Sequence, residues 1–190
     1  MTKEDFADQL IGKWRPVLDA TNEIFSWSGE GELAYWAERA SLATKAIEMG
    51  THFGRSAKVM LLASPNLHLT CVDLFLQDGT LMTAKHFLKD EYNLRRCDIL
   101  KTTSPDAANL LYWEKGNFDF VMVDDGHTYE DVRRDIRSFF PLLKIGGHIC
   151  GHDLDAGGEV EKAVNKMLPG WFEPVNRVWA FDKTKEITFT

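Results

Sequence analysis

Ala46-Ile-Glu-Met-Gly50-Thr-His-Phe-Gly54-Arg-Ser-Ala-Lys-Val-Met-Leu-Leu62 reads as a short apolar strand, a turn bounded by two glycines, and a helix from Arg55 to Leu62. Glycine lets the chain turn tightly and lets a ligand approach the backbone, and the helix N-terminus behind it offers unpaired N–H groups to an anion. The glycines stand four apart with no third at the offset of a G-x-G-x-x-G loop, so a dinucleotide fingerprint is absent. Taken alone, the stretch is as consistent with a structural turn as with a ligand loop.

The same unit recurs towards the C-terminus. Apolar runs at 67–72, 118–123 and 147–150 are each followed by a Gly, Asp or Ser turn and then a helical pattern. One helix is predicted to start at Ser104 as N-cap with Pro105 at the first helical position. Another runs from Thr128 to Leu143, with Val132, Ile136, Phe139 and Leu143 on one stripe and Pro141 and Gly146-Gly147 marking its end. A last one covers Glu159 to Leu168. Strands alternating with helices imply a mostly parallel sheet, covered on both faces and joined by right-handed crossovers. Two β-like segments, 171–181 and 187–190, have no helix between them and are predicted to form an antiparallel edge hairpin around Asp182 to Lys185.

Residues 1–43 have a different texture. Ala7, Leu10, Ile11, Trp14 and Leu18 recur at helical spacing, Ser26 to Glu32 is a polar break, and Leu33 to Leu42 reads as a second helix. This is a helical cap ahead of a core at 44–190, one domain overall. The 190 residues suffice for a real core, and 44% apolar content with six tryptophans and twelve phenylalanines excludes disorder. With 22 basic against 29 acidic side chains the net charge is −7, which argues against a nucleic-acid partner. No apolar run approaches a membrane span, and the N-terminus has no secretory h-region. Cys71, Cys97 and Cys150 are scattered, without a C-x-x-C, which suits a reducing cytoplasm and excludes a disulfide framework.

In a sheet of this kind ligands bind beyond the carboxyl ends of the strands. Those ends hold Gly50 to Gly54, Asp73, Thr102 to Ser104, Asp124 to Tyr129, and Gly151 to Leu154. Asp73 closes the second strand, where an acid in a βαβ nucleotide site accepts ribose hydroxyls. With the glycine turn ahead of it, Asp73 points to an adenosine-containing ligand. The densest cluster is Asp124-Asp125-Gly126-His127, and the neighbouring strand end supplies Gly151-His152-Asp153. Asp124, His127, His152 and Asp153 are expected within reach of one another. Two roles stay open: carboxylates holding a hard cation such as Mg²⁺, or a histidine backed by a carboxylate acting as general base. The plainer alternative is that Asp125 to Thr128 only caps the next helix. Asp131 and Asp135 are expected on an ordinary charged face, paired with Arg134 and Lys144. His148 reads as structural, His68 and His86 lack an evident acidic partner, and the segment with Trp27 and Trp36 could fold across the strand ends as a lid. Without a G-x-S-x-G elbow, hydrolytic nucleophile chemistry is not expected.

Four segments carry a family resemblance: E-M-G-T-H-F-G-R-S at 48–56, Val-Asp-Leu at 72–74, F-D-F-V-M-V-D-D-G-H-T-Y-E-D-V at 118–132, and D-I-R-S-F-F-P-L-L-K-I-G-G-H-I-C-G-H-D at 135–153. Together they resemble the class I S-adenosylmethionine-dependent methyltransferases, especially the group with macrocin O-methyltransferase-like and cephalosporin-hydroxylase-like members. The resemblance implies a Rossmann-like, doubly wound, seven-stranded sheet of order 3-2-1-4-5-7-6. It implies S-adenosyl-L-methionine as cofactor, with Glu48, Gly50, Thr51, Gly54 and Ser56 around its methionine part. Asp73 and Leu74 would hold the ribose, Thr103 and Ser104 would lie near the adenine, and Asp124 would border the cofactor. Some relatives bind Mg²⁺ through acids that map to Asp124 and Asp153, with His152 adjacent. His127 matches the family histidine and is the candidate base.

The implied activity is methyl transfer to a hydroxyl of a small molecule, in the cytoplasm, with a homodimer partner holding part of the acceptor. The rivals are a metal-dependent, hydroxylase-like enzyme on the same scaffold and a non-catalytic cofactor-binding protein. One departure stands out: Asp124-Asp125-Gly126-His127 replaces the family's Asp-Gly-Asp-His, so the second carboxylate is expected to point elsewhere.

Overall fold

The computed structural model describes residues 1–155 and 157–189. Helices α1 (Lys3–Asp19) and α2 (Glu30–Ser41) come first. The alternating part follows: β1 (Lys45–Met49), α3 (Arg55–Ala63), β2 (His68–Asp73), α4 (Thr80–Phe87), α5 (Lys89–Asn93), β3 (Cys97–Lys101) and α6 (Ser104–Leu110). Then come β4 (Phe118–Val123), α7 (Tyr129–Phe139), β5 (Leu143–Gly151), α8 (Glu159–Met167) and β6 (Trp179–Asp182). The sheet order is β3-β2-β1-β4-β5-β6, parallel throughout except for antiparallel β6. The order reverses between β1 and β4, which places a crevice above their C-terminal ends.

The C-terminal hairpin differs in detail from expectation. Phe172 bridges Ala180 through paired backbone hydrogen bonds of 2.9 and 2.8 Å, so β6 turns back on the segment before it. The stretch at 187–189 forms no strand, and Thr190 lies outside the described residues. Six strands are therefore seen among the described residues where seven were expected. Ile187 and Phe189 instead pack their side chains against the apolar layer under α7 and α8. The helix expected to reach Leu143 ends at Phe139, because Pro141 lies in a tight turn at 140–142, and β5 starts at once.

Alternation along the strands sorts the core into two layers. Ala46, Cys71, Met122 and Cys150 face α1, α2 and α3, whereas Ile47, Val72, Val121 and Ile149 face α6, α7 and α8. Leu18, Leu33 and Trp36 of the N-terminal helix pair are fully buried in the first layer. Each such side chain contributes roughly 1.5–3 kcal/mol of burial, so the pair is fastened to the sheet rather than laid over it. No helix among the described residues is long and apolar enough to cross a membrane.

A buried polar chain adds a second fastening. Tyr35 Oη on α2 lies 2.8 Å from His148 Nε2 on β5, whose Nδ1 lies 2.7 Å from Asp182 Oδ1 on β6. Burial pushes the His148 pKa down to about 4, assisted by the Arg39 charge and opposed by Asp182. The fold thus holds this ring neutral, while the unfolded chain protonates it near 6.5. Its contribution is complete at neutral pH and is lost as the pH falls from 6.5 towards 4. Between pH 7 and pH 5 the wild type should lose about 2 kcal/mol more unfolding free energy than His148→Gln, as read by urea titration. Parallel pH profiles for the two proteins would show that the histidine is not held neutral.

Candidate active site

A cavity of about 490 Å³ opens above the C-terminal ends of β1, β2, β4 and β5. Its first wall is the turn after β1. Gly50 sits at φ +86°, and a Cβ there would lie 2.0 Å from the Asp124 carbonyl oxygen, so only glycine permits this closeness of β1 and β4. Thr51, His52, Phe53, Gly54, Arg55 and Ser56 continue the wall into the first turn of α3. Asp73 fixes the turn from β2: its Oδ2 accepts the His52 N–H at 2.7 Å and its Oδ1 accepts the Phe75 N–H. His52 and Phe75 both hold positive φ, 51° and 49°, so Asp73 staples a strained segment.

Several expected cofactor residues lie behind this surface. Glu48 is fully buried beneath the turn and does not line the cavity. Burial lifts its carboxyl to about 7, opposed by the Ser56 and Thr51 hydroxyls. Leu74 and Thr103 are also outside the lining, and Thr103, not Ser104, is the N-cap of α6. Ser104 is buried and donates to Asp125 Oδ2 at 3.1 Å. The exchanged Asp-Gly order therefore turns Asp125 towards α6 and leaves Asp124 to face the histidines. Gly126 packs on Asp131, where an added Cβ would come within 2.5 Å of the Asp131 Cβ.

The opposite wall gathers the cluster foreseen from the strand ends. His127 Nε2 lies 2.7 Å from Asp153 Oδ2, and His152 Nδ1 lies 3.3 Å from Asp153 Oδ1 and 3.7 Å from Asp124 Oδ1. His127 is half exposed to the cavity, whereas His152 is buried against the Trp36 ring at 5.7 Å. The hydrogen bond to Asp153 raises the His127 pKa. Burial opposes charge on His152, yet its bonds to Asp153 and Glu32 and the Asp124 charge lift it to about 10. The two imidazoles hold Asp153 well below the usual carboxylate range, and burial lifts Asp124 to about 7.

Sequence reasoning missed two members of this cluster. Glu32, in the first turn of α2, places Oε1 3.1 Å from His152 Nε2, while its Oε2 accepts the Gly29 N–H at 2.6 Å. Its only sequence signal is its spacing from Gly29, which marks a helix start. Arg177, from the α8–β6 connection, touches Asp153 with its Nη2, places Nη1 3.9 Å from Glu32 Oε1, and donates from Nε to Asp155 Oδ1 at 2.9 Å. It is the one basic residue between Lys166 and Lys183. The loop between α1 and α2 closes the mouth with Phe25, Ser26, Trp27 and Ser28, and Phe25 stacks edge-on with Trp27 at 4.9 Å and Phe53 at 5.8 Å. Trp27 is thus at the rim, as a lid would require, while Trp36 is core.

Donor atoms of Asp124, His152 and Asp153 lie within 4.8 Å of one another, the grouping expected for a divalent ion. For Mg²⁺ the arrangement is a poor fit. Asp153 already accepts from Arg177 and has a nitrogen of His127 and of His152 close to its oxygens, and one of the three ligands is an imidazole, a poor partner for Mg²⁺.

Outside the cavity, Asp131 and Asp135 both pair with Arg134, at 2.8 and 3.2 Å, as expected, but Asp135 is fully buried rather than on a charged face, with burial lifting its carboxyl to about 7. Lys144 pairs with Asp119 instead, and His68 does have an acid, Asp98, at 3.3 Å. The cysteines are free and buried, with Cys71 and Cys97 Sγ atoms 3.7 Å apart.

Among curated proteins the chain is similar to uncharacterized protein y4gI of Sinorhizobium fredii (strain NBRC 101917 / NGR234). The two are 24% identical over 140 residues, which is 68% of this chain and only 15% of that relative's length. Among solved structures it is similar to cofactor-bound Rv0187 from MTB, at TM-score 0.69 and 16% identity over 94% of this chain and 91% of that one. It is also similar to the SAH-bound methyltransferase PaMTH1 of Podospora anserina, at TM-score 0.66 and 15% identity over 94% and 88%. A third is the O-methyltransferase TomG from Streptomyces achromogenes, solved with SAM, at TM-score 0.59 and 15% identity over 87% and 71%. These likenesses establish a class I methyltransferase fold. A family model described as a methyltransferase domain matches residues 47–154, from β1 past the end of β5, and over that majority of its length the chain belongs to the methyltransferase domain family.

Proposed function

We propose that this chain binds S-adenosylmethionine in the cavity and transfers its methyl group to a hydroxyl oxygen of a small molecule. The observation that carries the reading is the two-sided wall: a glycine turn with Asp73 on one side, a histidine–carboxylate cluster on the other. A carboxylate has about four lone-pair positions, and Asp73 spends two on backbone N–H groups, leaving two for a ribose diol. The N-terminus of α3, with no acid in its first turn and Arg55 beside it, suits the carboxylate of the methionine part. SAM- and SAH-bound relatives of the same fold support this placement. Ser104 then acts from behind, as a support of Asp125.

The sulfonium supplies an already activated methyl group, so the protein has two tasks: to align the acceptor and to take its proton. Asp153 holds the Nε2 side of His127, which leaves Nδ1 to receive the hydroxyl proton. The bond that raises the His127 pKa makes it a stronger base. The support for an oxygen acceptor is the likeness in fold to the O-methyltransferase TomG.

His127→Ala should lower kcat by about 10²–10⁴-fold and leave the calorimetric affinity for S-adenosylmethionine within a few-fold of wild type. The assay is S-adenosylhomocysteine release against a panel of small hydroxyl compounds. Turnover that survives in the variant would remove the base assignment. Wild-type protein that binds neither S-adenosylmethionine nor S-adenosylhomocysteine would remove the reading altogether.

A further inference from the structure

Arg177 stands where none of the strand-end residues predicts a cation. It projects from the connection between α8 and β6 at φ +65°, and its backbone is tied down at both ends. Its N–H donates to Glu173 Oε1 at 3.2 Å, and its carbonyl accepts the Leu154 N–H at 3.2 Å, next to Asp153. The guanidinium is therefore delivered to the acids by a fixed loop rather than by a free side chain. Its three nitrogens address three carboxylates, Asp153, Glu32 and Asp155, contributed by the end of β5 and by α2. A planar fork can serve several acids at once, which a lysine ammonium cannot do in fixed geometry.

We propose that Arg177, through its hold on Asp153, Glu32 and Asp155, takes the place of a divalent cation at this cluster, and that the site is built to work without a metal. The guanidinium is a positioning residue: it neutralises Asp153 from one side, so that the other oxygen is held on His127. A divalent ion entering the same space would meet the guanidinium and two imidazole nitrogens already drawn up to the Asp153 carboxylate. Removing the guanidinium leaves Glu32, Asp124, Asp153 and Asp155 facing a space that then suits a cation.

The experiment titrates Mn²⁺ into the full chain and follows the free-ion signal by electron paramagnetic resonance, so its readout is the ion and not methyl transfer. Failure here leaves the proposed function standing, and failure there leaves this proposal standing. Wild type should bind no Mn²⁺ at the cluster. Arg177→Met should bind about one per chain, and adding Asp153→Asn should abolish it. Wild-type binding that Asp153→Asn removes would overturn the proposal. So would a folded Arg177→Met protein, checked by its melting curve, that still binds none. If that variant does not fold, the wild-type titration with its Asp153→Asn control decides alone.

Discussion

Asp73→Ala should weaken S-adenosylmethionine binding by about a thousandfold, enough to flatten a calorimetric titration at micromolar protein. Two losses add up. The first is direct: hydrogen bonds to a charged acceptor are worth about 1.5–3 kcal/mol each, and the carboxylate is positioned to offer two to a ribose diol. The second is structural, because the same oxygens restrain the His52 and Phe75 N–H groups at positive φ. Without them the turn that forms the first wall has no reason to keep its shape. Asp73→Asn, which retains one acceptor oxygen, should lose roughly tenfold less. An alanine variant with a dissociation constant within tenfold of wild type would remove Asp73 from the ligand site.

Gly50→Ala should damage both fold and site. The new Cβ would stand 2.0 Å from the Asp124 carbonyl oxygen, 2.5 Å from its carbon and 3.0 Å from the Asp125 nitrogen. The backbone cannot yield easily, since the Gly50 N–H donates to Val72 O at 2.9 Å and the Asp124 N–H to Met49 O at 3.0 Å. Left-handed strain of about 1–2 kcal/mol joins overpacking of about 1–3 kcal/mol. The sum, about 2–5 kcal/mol, is a large part of an ordinary domain's stability and corresponds to a melting temperature lower by about 5–20 °C. Gly79→Ala is the control: φ is +83° there too, but nothing lies within 4 Å of the added carbon, so only the strain remains. Equal melting temperatures for the two variants would show that the contact with Asp124 is not what demands glycine at position 50.

The half of the site that lies at strand ends was legible in the sequence. Gly50, Asp73, Asp124, His127, His152 and Asp153 each follow an apolar run, and the parallel sheet brings such positions to one edge. What periodicity could not place was the half supplied from outside the strands. Glu32 belongs to a helix start whose local pattern says nothing about His152, and Arg177 lies in a connection with no periodic signal. Phe25 and Trp27 are aromatic residues in a polar loop, recognisable as unusual but not as the cavity mouth. The burial of Asp135 was hidden for a related reason. Helical spacing puts it next to the stripe of Val132, Ile136 and Phe139, and only packing decides which flank is covered. The seventh strand failed because the last residues found an apolar layer to cover in place of an edge to extend.

The pairing of β1 with β4 has a consequence for how the cavity comes into being. Ala46 and Phe120 are neighbours in the sheet although some 70 residues separate them in the chain, so their pairing closes one of the longest loops in the sheet. A growing chain that has emerged through β3 already holds the glycine turn and Asp73, yet has no Asp124, His127 or Asp153. When β4 inserts against β1 the Gly50–Asp124 contact forms, and the second wall is complete once β5 joins β4 and brings His152 and Asp153 beside it. Assembly of the central sheet and completion of the cavity are then a single event, and partly synthesised chains lack one of its walls.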